Sequence, residues 1–230
     1  MVKRILVTGA SGNLGRATVG KLLDSGYEVM AVDLHSPKHN PFDKFPGFSF
    51  YHCDLQNEEE TRFLVDELIK KHHSISGALL LAGGFAMGDL ESTNFSEIRE
   101  MTDLNFAAVY NIARILHPHM IKNGYGRMVF VGARPALDPA AGKSMIAYAL
   151  SKSLLFSFSQ ILNAASKEKN VVSSVIVPSV IDTPQNRQSM PNAAFEKWVT
   201  PESIASILEF ICSDKAEPLR EPVYKIYGDS

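Results

Sequence analysis

The chain is short of cysteine, of long apolar runs and of surplus charge. Cys53 and Cys212 are its only cysteines, and neither sits in a CxxC pattern or a Cys/His cluster. Two thiols cannot build a disulfide framework, so both are expected as buried, reduced side chains, and no metal site is expected. No apolar run approaches the ~18 residues needed to span a membrane. After Lys3 and Arg4 only Ile5, Leu6 and Val7 precede Thr8-Gly9, too few for a signal-peptide core, so the chain reads as cytoplasmic. Lys and Arg total 23 against 25 Asp and Glu, a net charge of −2. That balance gives no electrostatic reason to expect nucleic acid or a membrane as partner. What remains is an ordinary globular composition, 45% hydrophobic and 21% charged over 230 residues. This suits one domain of generous size with its own core.

Short apolar runs alternate with longer amphipathic stretches. Strands are expected at Val2–Thr8, Tyr27–Asp33, Phe48–Cys53, Ala78–Ala82, Arg127–Gly132, Val171–Val177 and Val223–Tyr227. Helices are expected at Asn13–Ser25, Asn57–Lys71, Phe95–Lys122 with a bend near Pro118, Ile146–Lys167 and Pro201–Cys212. Ser36–Gly47 holds three prolines and reads as a loop, and Thr183–Val199 shows no definite element. Continuous Val/Ile/Leu strands between helices imply an α/β fold: a single doubly wound (Rossmann) domain over residues 1–230. Its parallel sheet of about seven strands carries helices on both faces. Ligands in such folds bind at the carboxyl ends of the strands.

Thr8-Gly9-Ala10-Ser11-Gly12-Asn13-Leu14-Gly15 follows the first strand and opens the first helix. In that setting Gly9 makes the tight turn, Gly12 admits a pyrophosphate to the helix N-terminus, and Gly15 lets helix and sheet pack closely. Asp33 ends the second strand eighteen residues after Gly15, close to the ~20 expected of the acid that bonds the adenosine ribose. A carboxylate there accepts from a 2′-hydroxyl and repels a 2′-phosphate. NAD is therefore expected over NADP, although Lys38 and His39 nearby leave NADPH admitted. Tyr148-Ala149-Leu150-Ser151-Lys152 puts Tyr148 and Lys152 four residues apart on one helix face. An ammonium beside a phenol favours the phenolate, and a phenol brought down to about pH 7 can give and take protons near neutrality. Alone the pair is an ordinary helical Tyr/Lys; with the glycine turn upstream it reads as catalytic.

With these motifs the chain resembles the short-chain dehydrogenase/reductase family over essentially its whole length. Asp54-Leu55 matches the family's adenine-contacting pair. Ala82-Gly83-Gly84 matches the turn beside the cofactor, with Leu81 where the family has Asn. Asn105 matches the helix Asn linked to a proton relay through water and Lys. The resemblance implies catalytic roles for Tyr148, Lys152 and Asn105. It also implies cofactor contacts from Gly9, Ser11, Gly12, Asn13, Leu14, Gly15, Asp33, Asp54, Leu55, Ala82, Gly83, Gly84, Tyr148 and Lys152. After the sixth strand, Pro178, Val180, Ile181 and Thr183 are implied to hold the nicotinamide carboxamide.

One departure is informative. Where the family has Ser at the end of strand five, this chain reads Val131-Gly132-Ala133-Arg134-Pro135. Ser144 is a candidate substitute or a helix cap. The dihydropteridine reductase branch shares the departure. It is also resembled by Leu81-Ala82-Gly83-Gly84-Phe85-Ala86, by Gly132–Asp138 through Tyr148, and by Asp182–Pro191 with Trp198 beyond. Asn105 is the commoner family residue and runs against that branch. Met190, Phe195 and Trp198 either stack on a flat heterocycle or only pin the loop, and Arg134 lies either near the substrate or in solvent. The resemblance thus implies hydride transfer from NADH to a quinonoid dihydropterin, with Tyr148 giving the proton. A reductase of another small carbonyl or quinone, and a non-catalytic NAD-sensing module, are the other readings. Family members commonly pair the two long helices, and Leu154, Leu155, Phe158, Ile161 and Leu162 supply apolar surface for a homodimer or homotetramer.

Overall fold

The computed structural model describes residues 3–35, 39–220 and 222–229. Val2, expected in the first strand, and Ser36, Pro37 and Lys38 of the proline-rich loop lie outside the described residues. Seven strands form one parallel sheet in the order β3-β2-β1-β4-β5-β6-β7. They are β1 Arg4–Thr8, β2 Glu28–Asp33, β3 Phe48–His52, β4 Gly77–Leu80, β5 Tyr125–Val131, β6 Asn170–Pro178 and β7 Val223–Ile226. The helices are α1 Asn13–Asp24, α2 Glu58–His72, α3 Phe95–Thr102, α4 Ala108–Asn123, α5 Pro139–Gly142, α6 Ile146–Ala165, α7 Pro184–Ser189 and α8 Pro201–Cys212.

The central strands are apolar on both sides because both sides are covered. On one face Leu6, Met30 and Phe130 pack under α2, α4 and α6. On the other, Ile5, Val7 and Leu79 pack under α1 and α8, through Val19, Leu22, Ile204 and Leu208. Cys53 and Cys212 are both free and buried. No helix among the described residues is long and apolar enough to cross a membrane.

Two expectations are corrected. The long helical stretch breaks at Asp103–Ala107, which forms one wide π-helical turn between α3 and α4, while Pro118 lies inside α4. Wide turns of this kind often mark functional sites. Thr183–Val199 is not structureless: it holds α7 and a 3₁₀ turn at Phe195–Lys197. Thr183 caps α7 by accepting from the Asn186 N–H at 3.2 Å, and Pro184 occupies its first position.

Candidate active site

β1 ends mid-sheet at Thr8, and the chain turns through Gly9 into α1. Gly9 has φ +62°, and a Cβ on it would stand 2.9 Å from the Ala82 nitrogen. A Cβ on Gly15 would fall 2.1 Å from the Gly9 oxygen. Both positions exclude any side chain. Gly12, the N-cap of α1, brings no side-chain acceptor, and the first turn holds no acid. The helix end therefore offers its N–H groups and positive pole to an anion, which fits a pyrophosphate.

Asp33 stands beside this turn. Its Oδ2 accepts from the Ser11 N–H at 2.9 Å and its Oδ1 from the His35 N–H at 3.3 Å. On the far side, the Asp54 carboxylate accepts from the Gln56 N–H at 3.0 Å. Asn111, buried in α4, holds the Leu55 carbonyl at 3.0 Å. A cleft of about 570 Å³ runs past all of these. Gly9, Ser11, Gly12, Asn13, Leu14 and Gly15 line one stretch of it, Asp33, Asp54 and Leu55 the next, and Ala82, Gly83 and Thr183 a third. These nominated residues lie along one cleft, whereas Gly84, Tyr148, Lys152, Pro178, Val180 and Ile181, nominated with them, do not line it.

Other contributors went unread. Leu34, His35 and Gln56 line the cleft as direct neighbours of motif residues, while Leu104 enters from the wide turn and Ala108 from the start of α4. Thr8 was also missed: buried, it accepts from the Ala82 N–H at 3.1 Å and so ties the two cleft-lining turns together.

Asn105 and Lys152 stand behind Gly83. A Cβ there would meet Asn105 Oδ1 at 2.5 Å and Lys152 Nζ at 3.0 Å. Lys152 is buried, and its Nζ donates to the Val131 carbonyl at 2.8 Å. The same Nζ lies 6.0 Å from the Tyr148 ring centroid. Phe85 meets Tyr148 edge to face at 5.0 Å. Burial lowers the Lys152 ammonium to about 8 and raises the Tyr148 phenol to about 12. This differs from the sequence expectation of a phenol lowered by its lysine. In the protein alone, desolvation keeps the phenol protonated at neutral pH, and it lets the Lys152 ammonium, still largely charged at pH 7, lose its proton well below the usual lysine range.

The Asn105 side chain is spent on structure. Oδ1 accepts from the Gly84 N–H at 2.9 Å, and Nδ2 donates to the Gly84 oxygen at 3.2 Å and to Ser151 Oγ at 3.0 Å. Pro178 pairs with Ile226 at the end of β6. The Val180 carbonyl accepts from the Val199 N–H at 3.1 Å. Ile181 bridges Val199 and takes Asn186 Nδ2 on its carbonyl at 2.8 Å. These residues build the base of α7, and only Thr183 of the set lines the cleft. From α7, Gln185 accepts from Asn13 Nδ2 at 2.8 Å, across to the glycine turn.

Three further sequence readings resolve. Ser144 caps nothing, since the N-cap of α6 is Met145; instead the Ser144 carbonyl accepts from the Gly88 N–H at 2.9 Å. Arg134 lies over the Tyr227 ring at 5.4 Å. Phe195 packs on Trp198 at 4.8 Å and under Arg187 at 4.9 Å, while Arg187 grips Asp182 through two hydrogen bonds. The aromatic residues thus pin their own segment.

The profile of the short chain dehydrogenase family matches residues 3–194. The chain belongs to that family, and it is an NAD(P)-dependent oxidoreductase. Among curated relatives it is 28% identical over 231 residues to the dihydropteridine reductase of Dictyostelium discoideum, covering 98% of this chain and 94% of that one. It is 24% identical over 221 residues to the 3-oxoacyl-[acyl-carrier-protein] reductase FabG of Buchnera aphidicola, covering 91% and 89%. Among solved structures it is similar to ElxO with NADP bound, at TM-score 0.89 and 19% identity over 99% of this chain and 98% of that one. The ligand-free aldohexose dehydrogenase of Thermoplasma acidophilum gives TM-score 0.85 and 23% identity over 99% and 94%.

Proposed function

We propose that the protein reduces an electron-poor C=N substrate of the quinonoid dihydropterin class, with NADH as donor and Tyr148 as the proton source. The carrying observation is the closed serine position. Gly132 has no room for a side chain: a Cβ there would stand 2.7 Å from Val175 and 2.9 Å from Phe156. Ala133, next along, is buried and brings no hydroxyl. No group at the end of β5 can share with Tyr148 the work of polarising a carbonyl. A quinonoid imine is already electrophilic and needs only a proton. The 28% identity to a dihydropteridine reductase over nearly the whole chain supports the same reading.

Gly12 and the first turn of α1 would hold the pyrophosphate, Asp33 the adenosine ribose, and Lys152 the nicotinamide ribose. When bound, the reduced nicotinamide supplies the hydride. Tyr148, protonated because its burial favours the neutral phenol, gives its proton to the accepting nitrogen. The Phe85 edge at 5.0 Å covers one side of that ring against water. NADH oxidation measured across pterin, quinone and carbonyl acceptors tests the reading. A protein inert to every pterin but brisk with a ketone or quinone refutes the substrate class. One inert to all of them, while still binding NADH, returns the sensing module.

Asp33 should set the cofactor choice. Its carboxylate is fixed by the Ser11 and His35 N–H groups, so it cannot swing away from a 2′-phosphate. Asp33→Ala should narrow a preference for NADH by roughly tenfold, the worth of one charge-assisted contact. Tighter binding of NADPH than NADH by the unaltered protein would show the assignment of Asp33 to be wrong.

Assembly follows from α6. Leu155, Phe158 and Leu162 turn into the core, whereas Leu150, Leu154 and Ile161 stay 49%, 39% and 64% exposed. Tyr110 on α4 is 43% exposed. A homodimer or homotetramer through α4 and α6 would bury this strip. Sedimentation at micromolar concentration should give at least twice the chain mass; the mass of a single chain would refute it.

A further inference from the structure

We infer that Ser151 is a positioning residue for Tyr148, coupling it to the cofactor-side turn through Asn105. The inference rests on the reading of Tyr148 as proton donor. Ser151 is fully buried, three residues after Tyr148 and one before Lys152. Its Oγ receives Asn105 Nδ2 at 3.0 Å and donates to the Tyr148 carbonyl at 2.8 Å.

The direction of this chain is forced. The Gly84 N–H can only donate, so the atom facing it at 2.9 Å is Asn105 Oδ1. The Asn105 atom facing Ser151 is then Nδ2, which can only donate. The single hydroxyl proton of Ser151 is left for the Tyr148 carbonyl. Three segments are locked by one buried run of bonds: the Gly83-Gly84 turn, the wide turn at Asp103–Ala107 and the first turn of α6.

That first turn needs an anchor. Its N-cap, Met145, makes no side-chain cap. Besides the Phe85 contact, the turn is tied outside α6 by the hydrogen bond from the Ile146 N–H to the Gly88 carbonyl at 2.9 Å. Without Ser151 the Tyr148 backbone loses its link to the turn that lines the cleft. A buried network of this kind acts as a unit, so removing one member strands the others.

Ser151→Ala should lower kcat about tenfold, from loss of one well-placed buried hydrogen bond. KM for NADH and its Kd should stay unchanged, since Ser151 does not line the cleft. Ser151→Cys, which keeps the volume but is a poor hydrogen-bonding partner, should lose as much as Ala and serves if Ala fails to fold. Asn105→Ala combined with Ser151→Ala should cost no more than Asn105→Ala alone.

A second readout needs no substrate. Amide exchange at Gly84 in the cofactor-free protein should quicken in Ser151→Ala and stay put in Tyr148→Phe. Full turnover in Ser151→Cys, losses that multiply in the double variant, or unaltered exchange at Gly84 would each overturn the inference. Turnover and NADH affinity falling in step would overturn it too. If the unaltered protein reduces no acceptor, the functional reading fails, and the Gly84 exchange still decides the role of Ser151.

Discussion

Tyr148→Phe cuts turnover by roughly 10²–10⁴, the usual worth of a general acid, and leaves NADH affinity where it was. The ring keeps its volume and its edge contact with Phe85 at 5.0 Å, so the site keeps its shape. Only the proton is lost. Burial raises this phenol to about 12, so at neutral pH it is protonated and serves as a donor in the reductive direction. The reverse reaction needs the phenolate. Bringing a phenol from about 12 into the neutral range takes on the order of 6 kcal/mol, more than one partly screened ammonium supplies. The oxidative direction is therefore expected to be slow until high pH, with reduction the working direction. Steady-state rates in both directions, with NADH titrated by fluorescence, check this. Unchanged turnover in Tyr148→Phe on the best acceptor would remove Tyr148 from the chemistry.

How far the sequence carried the reading differs from one element to the next. The central strands were legible because burial on both faces leaves them continuously apolar, as in Ile5-Leu6-Val7 and Ala78-Leu79-Leu80. The glycine turn was legible because Gly9 and Gly15 admit no side chain. The wide turn at Asp103–Ala107 was not, since one extra residue per turn barely disturbs a helical pattern in so long a stretch. α7 was missed because its six residues, Pro184–Ser189, are polar and too few to show a period. Its stability comes from the Thr183 cap and the Asp182–Arg187 pair, which are contacts rather than patterns. The side chain of Asn105 illustrates the same limit. Its place in a motif marked it as functional, but only the structure shows both its ends bonded to Gly84 and Ser151. The state of the Tyr148–Lys152 pair was also out of reach, because spacing says nothing about desolvation.

Lys152→Met is expected to show two effects that separate its two roles. Turnover should fall by at least ~10²-fold, because the phenol loses the ammonium 6.0 Å from its ring centroid, which favours proton release in the cycle. NADH affinity should fall about tenfold, the worth of a charge-assisted hydrogen bond to the ribose. A stability signature should accompany them in the protein without cofactor. Burial lowers Lys152 from 10.5 to about 8, which makes the charged form unfavourable in the fold by on the order of 3 kcal/mol. Between pH 8 and 10.5 the unfolded chain holds this proton and the folded one does not. Stability from this group therefore rises with pH across that window, and its full penalty stands below it. Raised thiols and phenols, such as Cys53 at about 11 and Tyr148 at about 12, act in the opposite direction at the alkaline end. Comparing the two proteins removes those terms, since both carry them. Denaturant midpoints should show Lys152→Met more stable than the unaltered protein at pH 7, with the gap closing by pH 10. A gap that stays constant with pH would mean that Lys152 is charged and well solvated in the fold. The desolvated ammonium described for the site would then be wrong.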